Sequence, residues 1–412
     1  MAGFAEALRT GSWLTRERVR LVAWGILAAS LIGLVWLVAT ADGLNDRLGR
    51  PLGTDFSNVY AAGTYVRDGA PEKPFDPPAQ HAREQAIFGA ATPFYGWHYP
   101  PFFLAVAALL ATMPYLTALA AWQVITLLLY LAAIRTIIAT ASSPGAPRPA
   151  APAGWLLLAL AFPAVFINIG HGHNGFLTAA LFAGALVVLD RRPVLSGVLI
   201  GCLAYKPQFG LMIPLVLAAT GRWRAFAAAA ATVAALAAAV TLAFGTEVWR
   251  AFLASGEFTR RVVLEDGNTG WHKIQTVFSW VRMWGGPVAL AYAVQAAVTL
   301  AAAAALVRLW RSDAPFARKA AALLIGTLLA TPYSLDYDLM LLAPAIAFLA
   351  ADGLRRGFAP FEITMLAALW IVPLVTRSVA EWTLVPLAPI AMLAAFVALT
   401  VRRQPAARIA LS

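Results

Sequence analysis

Six short polar segments interrupt an otherwise apolar chain, and their residue types suit proton abstraction and anion binding. The first carries Asp55 and Tyr60 in Gly53-Thr54-Asp55-Phe56-Ser57-Asn58-Val59-Tyr60. The second is Trp97-His98-Tyr99-Pro100-Pro101. The third is Asn168-Ile169-Gly170-His171-Gly172-His173-Asn174, and the fourth Tyr205-Lys206-Pro207-Gln208. The fifth is Asn268-Thr269-Gly270-Trp271-His272-Lys273, and the sixth runs from Ser334 to Asp338. Transfer of a group from a phosphate-bearing lipid to a hydroxyl needs a carboxylate to take the hydroxyl proton. It also needs cations or N–H donors to hold the departing phosphate. Asp55 is the candidate base. Lys206, His98, His171, His173, His272 and Lys273 are candidate phosphate contacts, with Asn174 and Gln208 beside them as polar groups for phosphate or sugar. Tyr60, Tyr99, Trp271 and Asp336 are candidates for an acceptor pocket.

Each candidate also has a structural reading at this level. Asp55 fits a loop or helix-capping aspartate, and Asp336 and Asp338 fit N-capping bonds. Tyr99-Pro100-Pro101 fits a helix start, since proline suits a first turn. Trp271-His272-Lys273 fits a membrane-surface segment, where tryptophan is common. His171-x-His173 is a two-ligand pair without a clear third, so no ligand spacing calls for a metal. Lys206 fits a snorkelling lysine, although an ionisable group near membrane depth is a functional candidate by default.

The elements that must position these groups are membrane helices. The chain has 412 residues, 61% hydrophobic and only 12% charged, about half the charged fraction of soluble domains. Apolar runs near the ~20 residues that cross a bilayer recur throughout, without the alternation of a β-barrel strand. The net charge of +11 falls mostly in short loops between these runs. No basic patch interleaved with stacking aromatics points to nucleic acid. The single cysteine, Cys202, excludes a disulfide within the chain.

Twelve spans are expected: 21–40, 116–138, 155–169, 175–189, 193–205, 208–220, 226–244, 288–309, 320–331, 339–351, 361–375 and 384–401. The first is read as uncleaved, because its apolar run exceeds the ~7–15 residues of a signal peptide core. The short helix 101–113 is read as interfacial rather than spanning. With it left outside, the inner segments hold 19 Lys/Arg against 6 Asp/Glu and the outer ones 12 against 14. That asymmetry puts both termini in the cytoplasm. The organisation is one integral membrane domain over 1–412, with outer loops at 41–115 and 245–287. Residues 142–153 read as a Pro/Ala-rich linker. Spans 193–205, 208–220, 320–331 and 339–351 are short. Their junctions at Lys206 and at 332–338 are expected to line a cavity at the outer side, where irregular backbone is tolerated.

Five stretches in order, GTDFSNVYAAGTYVRDG, YPPFFLAVAALLATMPYLTALAAWQ, GHGHNGFLTAALFAGAL, GVLIGCLAYKPQFGLMIPL and ATPYSLDYDLMLLAPAI, resemble glycosyltransferase family 87, within the GT-C superfamily of polytopic enzymes. The resemblance implies an all-α, GT-C-like fold in a bacterial inner membrane. It implies a polyprenyl-phosphate-linked sugar donor, mannose or another hexose, and a lipid or glycan acceptor at the outer, periplasmic face. It also implies Asp55 as base, Lys206 at the donor phosphate and 101–113 as a juxtamembrane helix. No cofactor is required; a divalent metal is compatible but not indicated. The family often shows Gly-Gln-x-Asn where this chain reads Gly172-His173-Asn174, so position 173 has no direct match. The rival readings are a lipid or sugar transporter and a non-catalytic envelope-assembly partner. The one-sided clustering of polar residues and the lack of repeated halves favour the enzyme.

Overall fold

The computed structural model describes residues 2–140 and 154–401. The linker 142–153 and the final basic residues Arg402 and Arg403 lie outside the described residues. Regular structure among the described residues is helical, supplemented by isolated bridges Asp42–Asn45, Asn45–Pro51 and Ile274–Leu335.

The chain opens with α1 (Ala2–Thr10) and α2 (Arg16–Ala39), the latter capped by the Thr15 hydroxyl accepting from Arg18 N. The segment 41–114 folds into α3 (Thr54–Arg67), α4 (Pro77–Phe88) and α5 (Leu104–Leu110), and α6 (Tyr115–Thr140) follows. After the linker come α7 (Trp155–Leu160), α8 (Pro163–His171), α9 (Gly175–Val188), α10 (Pro193–Gly201) and α11 (Met212–Ala219). Next are α12 (Trp223–Phe244), α13 (Glu247–Phe258), α14 (Val277–Met283) and α15 (Val288–Trp310). The chain finishes with α16 (Phe316–Ala330), α17 (Leu342–Arg356), α18 (Glu362–Thr383) and α19 (Leu387–Val401).

Six helical stretches are long and apolar enough to cross a membrane: α2, α6, α12, α15, α18 and the run Asp336–Arg356 that contains α17. Shorter apolar helices, including Gly175–Val188, Pro193–Tyr205, Pro207–Ala219 and Leu387–Val401, pack among them. This is a multi-pass membrane protein; six long helices are fewer than the twelve spans expected, and the remainder are helices of 10–17 residues or shorter. Helix α2 shows why lipid must surround the bundle. Leu21, Trp24, Ile32, Val35 and Trp36 all point outward, an apolar face that water would not tolerate. By contrast α16 is central, with every residue from Ala320 to Ala330 buried.

Two expected spans differ locally. The expected span 155–169 is divided into α7 and α8 at Pro163, which cannot continue the hydrogen-bond ladder. The expected short span 339–351 is part of a longer run, because a 3-10 turn over Asp336–Leu341 feeds directly into α17. The break at Lys206 is where the sequence puts it. Its backbone leaves the helical region (φ −124°, ψ 74°), because the following proline disfavours helical angles in the residue before it.

The helix after Tyr99 is a 3-10 turn, Pro101–Phe103, continuing into α5. Its ten residues span ~15 Å at 1.5 Å per residue, too little to cross a ~30 Å core. It packs on α3, where Tyr60 Oη donates to Met113 O (2.9 Å) and Arg67 Nη1 to Ala111 O (2.6 Å).

The approach to that turn is fixed by a buried acid. Glu84, fully buried in α4, accepts from Tyr95 N and Gly96 N, both at 3.1 Å. Burial pushes its carboxyl up to about 7, against the opposing pull of these N–H bonds. The folded pKa is raised, so the contribution to stability is complete below about pH 4.5 and is lost as pH rises through about 7. We expect wild-type protein in detergent to lose up to about 3 kcal/mol across that window, with Glu84→Gln flattening the dependence. Thermal unfolding of both proteins from about pH 4.5 to 8.5 checks this; parallel curves would contradict it.

Candidate active site

The site begins where two helix ends meet. Helix α3 starts after Gly53 (φ +69°) and α8 ends at Gly172 (φ +62°), both in the left-handed region that glycine adopts without strain. A Cβ on Gly172 would lie 2.6 Å from Phe56 Cβ and 3.3 Å from Gly53 Cα, so the two ends approach as closely as backbone permits. Asp55 lies in the first turn of α3 and His171 in the last turn of α8. A carboxylate is favoured at a helix N-terminus and a cation at a C-terminus. His171 Nδ1 is 2.8 Å from Thr54 Oγ1 and 3.7 Å from Asp55 Oδ1. The Asp55 side chain keeps 22% of its surface exposed.

Beneath this pair lies a floor of rings and charges. Tyr337 stacks on His173 with ring centroids 3.5 Å apart and meets His171 edge-on. Tyr99 Oη shares a hydrogen bond with His173 Nε2 at 3.0 Å. Lys206 Nζ donates to Asp338 Oδ1 at 2.5 Å, both side chains being almost wholly buried. The second Asp338 oxygen accepts from Leu335 N (3.0 Å) and so caps the start of its own helical run. Phe103 stacks on Tyr205, whose hydroxyl bonds Thr178 (2.7 Å), which ties the floor to the turn before α5 and to α9.

The segment between α13 and α14 supplies the facing wall. Ile274 bridges to Leu335, Gln275 N donates to Ser334 O (2.7 Å), and Thr276 Oγ1 donates to Pro332 O (3.0 Å). Thr376 Oγ1 of α18 donates to Gln275 Oε1 (2.6 Å). This docking brings Trp271-His272-Lys273 to the site as a single 3-10 turn. Among the described residues the Lys273 ammonium has no hydrogen-bond or ion-pair partner, while its backbone N–H donates to Gly270 O (3.0 Å). Burial and Arg377 hold its pKa below the ordinary lysine value, while Asp336 and Asp55 oppose that shift. Asp336, at the edge of the same wall, pairs with Arg377 (3.2 Å) and accepts from Tyr337 N (2.9 Å).

The remaining sequence candidates fall around this centre. His98 bonds Thr259 Oγ1 through Nδ1 (3.0 Å), and burial pushes its pKa down to about 4, so it is neutral at pH 7. Asn174 is 2% exposed, and neither polar atom of its amide has a partner. Tyr60 is spent on Met113 and on an edge-on contact with Tyr115. Trp271 donates to Leu264 O (3.2 Å) and carries Arg282 over its ring. Gln208 lies in the turn Pro207–Gly210 and has no hydrogen bond among the described residues. Sequence reasoning left out Thr54, Arg377 and Gln275. Arg377 carried a signal, as a charge immediately beyond an apolar run; Thr54 and Gln275 are ordinary polar residues until the fold brings them in.

The family model of glycosyltransferase family 87 matches residues 97–332, more than half of the chain. The chain belongs to glycosyltransferase family 87. Family 87 membership makes it a membrane glycosyltransferase, with a sugar donor and an acceptor as substrates. The match takes in Trp97-His98-Tyr99, the His171 segment, Lys206 and Lys273, and stops short of Asp55 and of Asp336–Asp338. No curated protein and no solved structure matches the chain.

In this family 87 chain the buried Lys206–Asp338 pair is a testable support. Removing one partner of a buried pair costs about 3–5 kcal/mol, because the other charge is left uncompensated. Lys206→Met is expected to lower thermal stability strongly, and Lys206→Met with Asp338→Leu to recover most of the loss. A Lys206→Met enzyme as stable as wild type, deficient only in donor affinity, would place that charge on the donor instead.

Proposed function

We propose that this glycosyltransferase moves a sugar, mannose or another hexose, from a polyprenyl-phosphate carrier to a hydroxyl acceptor at the outer face of a bacterial inner membrane, with inversion. The observation that carries the proposal is the distribution of charge among three neighbouring carboxylates. Asp338 is neutralised by Lys206 and Asp336 by Arg377. Among the described residues no lysine or arginine pairs with Asp55, which stays partly exposed. A general base must be reachable by its substrate, and Asp55 meets that need where its two neighbours do not.

In the proposed step the acceptor hydroxyl gives its proton to Asp55 as its oxygen attacks the anomeric carbon. The bond from that carbon to the phosphate oxygen breaks, and its electron pair leaves with the polyprenyl phosphate. The leaving group departs as an anion, so no acid is required to protonate it. Among the described residues of this turn Lys273 is the cation left to receive it, while His272, its pKa lowered by burial, offers a neutral hydrogen-bonding group. His98, neutral at pH 7, serves only as a hydrogen-bonding group. Lys206 acts from below, holding Asp338 and the 335–338 turn in place. No step is routed through a metal.

The outer placement rests on the charge asymmetry of the loops and on the side of the bundle that Asp55, Lys273 and Asp336 share. Purified enzyme with a polyprenyl-phosphate sugar and an acceptor tests the reading. Asp55→Asn is expected to lower turnover by about 10²–10⁴-fold while donor binding and thermal stability stay near wild type. Near-normal turnover in that variant removes Asp55 from the base role. Lys273→Met is expected to lower kcat/KM for the donor by about 10²-fold, the scale of losing one preorganised charge at a developing anion. An unchanged kcat/KM would remove Lys273 from the phosphate.

A further inference from the structure

We propose that His171 is the positioning residue of the Asp55 base. In this role its Nδ1–H is held between the Thr54 hydroxyl and the Asp55 carboxylate, and it aims and sustains the ionised acid rather than touching donor phosphate or sugar. The inference rests on Asp55 being the base, and it adds a second group to that reading.

The geometry comes from three independent constraints. First, Nδ1 is the imidazole atom turned toward α3, at 2.8 Å from Thr54 Oγ1 and 3.7 Å from Asp55 Oδ1. Second, the ring cannot swing freely, because Tyr337 meets it edge-on with centroids 5.7 Å apart. Third, the helices that carry the two groups end on each other through Gly53 and Gly172. Asp55 thus sits at a positive helix terminus and His171 at a negative one. Both termini favour the charged forms and bring them face to face. A hydrogen-bond donor or a nearby positive charge stabilises a carboxylate in its ionised state, the state a base requires before the acceptor arrives.

The surroundings of His171 leave Asp55 as its nearest charge partner. From the Asp336–Leu341 turn come Asp336 and Tyr337; from α18 comes Arg377, already paired with Asp336. From its own segment comes His173, engaged with Tyr99. Helix α9 carries no ionisable residue, and α2 carries none beyond Arg20. Thr54 and Asp55 come from α3.

The test is steady-state kinetics on His171→Ala and His171→Asn, with Asp55→Asn measured alongside. Asparagine places an amide N–H near the position of Nδ1. His171→Ala is expected to lower kcat by about 10–100-fold, with donor KM within about twofold of wild type. His171→Asn is expected to recover most of the lost kcat. A raised donor KM with unchanged kcat would make His171 a donor ligand and overturn the proposal. So would equal losses of kcat in the alanine and asparagine variants. If Asp55→Asn is inactive while His171→Ala is normal, only the positioning role fails; if Asp55→Asn turns over normally, the base reading itself fails.

Discussion

The contact between the start of α3 and the end of α8 is the constraint from which the rest of the site follows. It requires two glycines in the left-handed region and leaves no room for a side chain between them. The two helix ends bring opposite partial charges together at the same point. An acid on one and an imidazole on the other therefore face each other without any long side chain having to be ordered. Every other group at the site is arranged around that point. Tyr337 presses on His171 and His173 from below, Tyr99 closes on His173 from the turn before α5, and Lys273 arrives from the segment before α14.

The short helices serve the same centre. Pro193–Tyr205 and Pro207–Ala219 stop at Lys206 because Pro207 forces the residue before it out of helical conformation. The freed lysine is far too buried to remain unpaired, and Asp338 meets it. A buried ion pair is weak evidence of net stability, since desolvation offsets much of the attraction. Its effect here is geometric. It clamps the break in one helix pair to the helical start at 335–338, and the segment before α14 docks against that same start through Ile274, Gln275 and Thr276. Lys206 is engaged with Asp338, and the proposed function accordingly assigns the departing anion to Lys273.

Much of this was legible in the sequence, for definite reasons. Apolar runs report membrane helices because nothing else satisfies backbone groups in lipid, and the interruptions report the site because polar groups there are costly. Asp55, His171, His173, Lys206 and Lys273 were all visible as such interruptions. The helix 101–113 was legible as too short to cross. Other features were not. The division at Pro163 lay inside a continuous apolar stretch, and the helical run begins three residues before the expected 339–351 because Asp336 and Asp338, which fit helix-start caps, lie within its first turn. Tyr60 looked like a pocket residue because of its proximity to Asp55 in sequence, yet helical spacing turns it toward Met113 and Tyr115. Pairings across 117 or 132 residues, as between Thr54 and His171 or Lys206 and Asp338, leave no trace in local pattern.

The central claim is that Asp55 faces the sugar while Lys273 faces its phosphate. A structure with a non-transferable polyprenyl-phosphate sugar and an acceptor bound tests it most directly. The account predicts the acceptor hydroxyl within about 2.6–3.2 Å of an Asp55 oxygen, on the side of the anomeric carbon opposite a phosphate contacted by Lys273. A sugar bound away from Asp55, or a phosphate held at the opposite end of the bundle near Arg355 and Arg356, would contradict it.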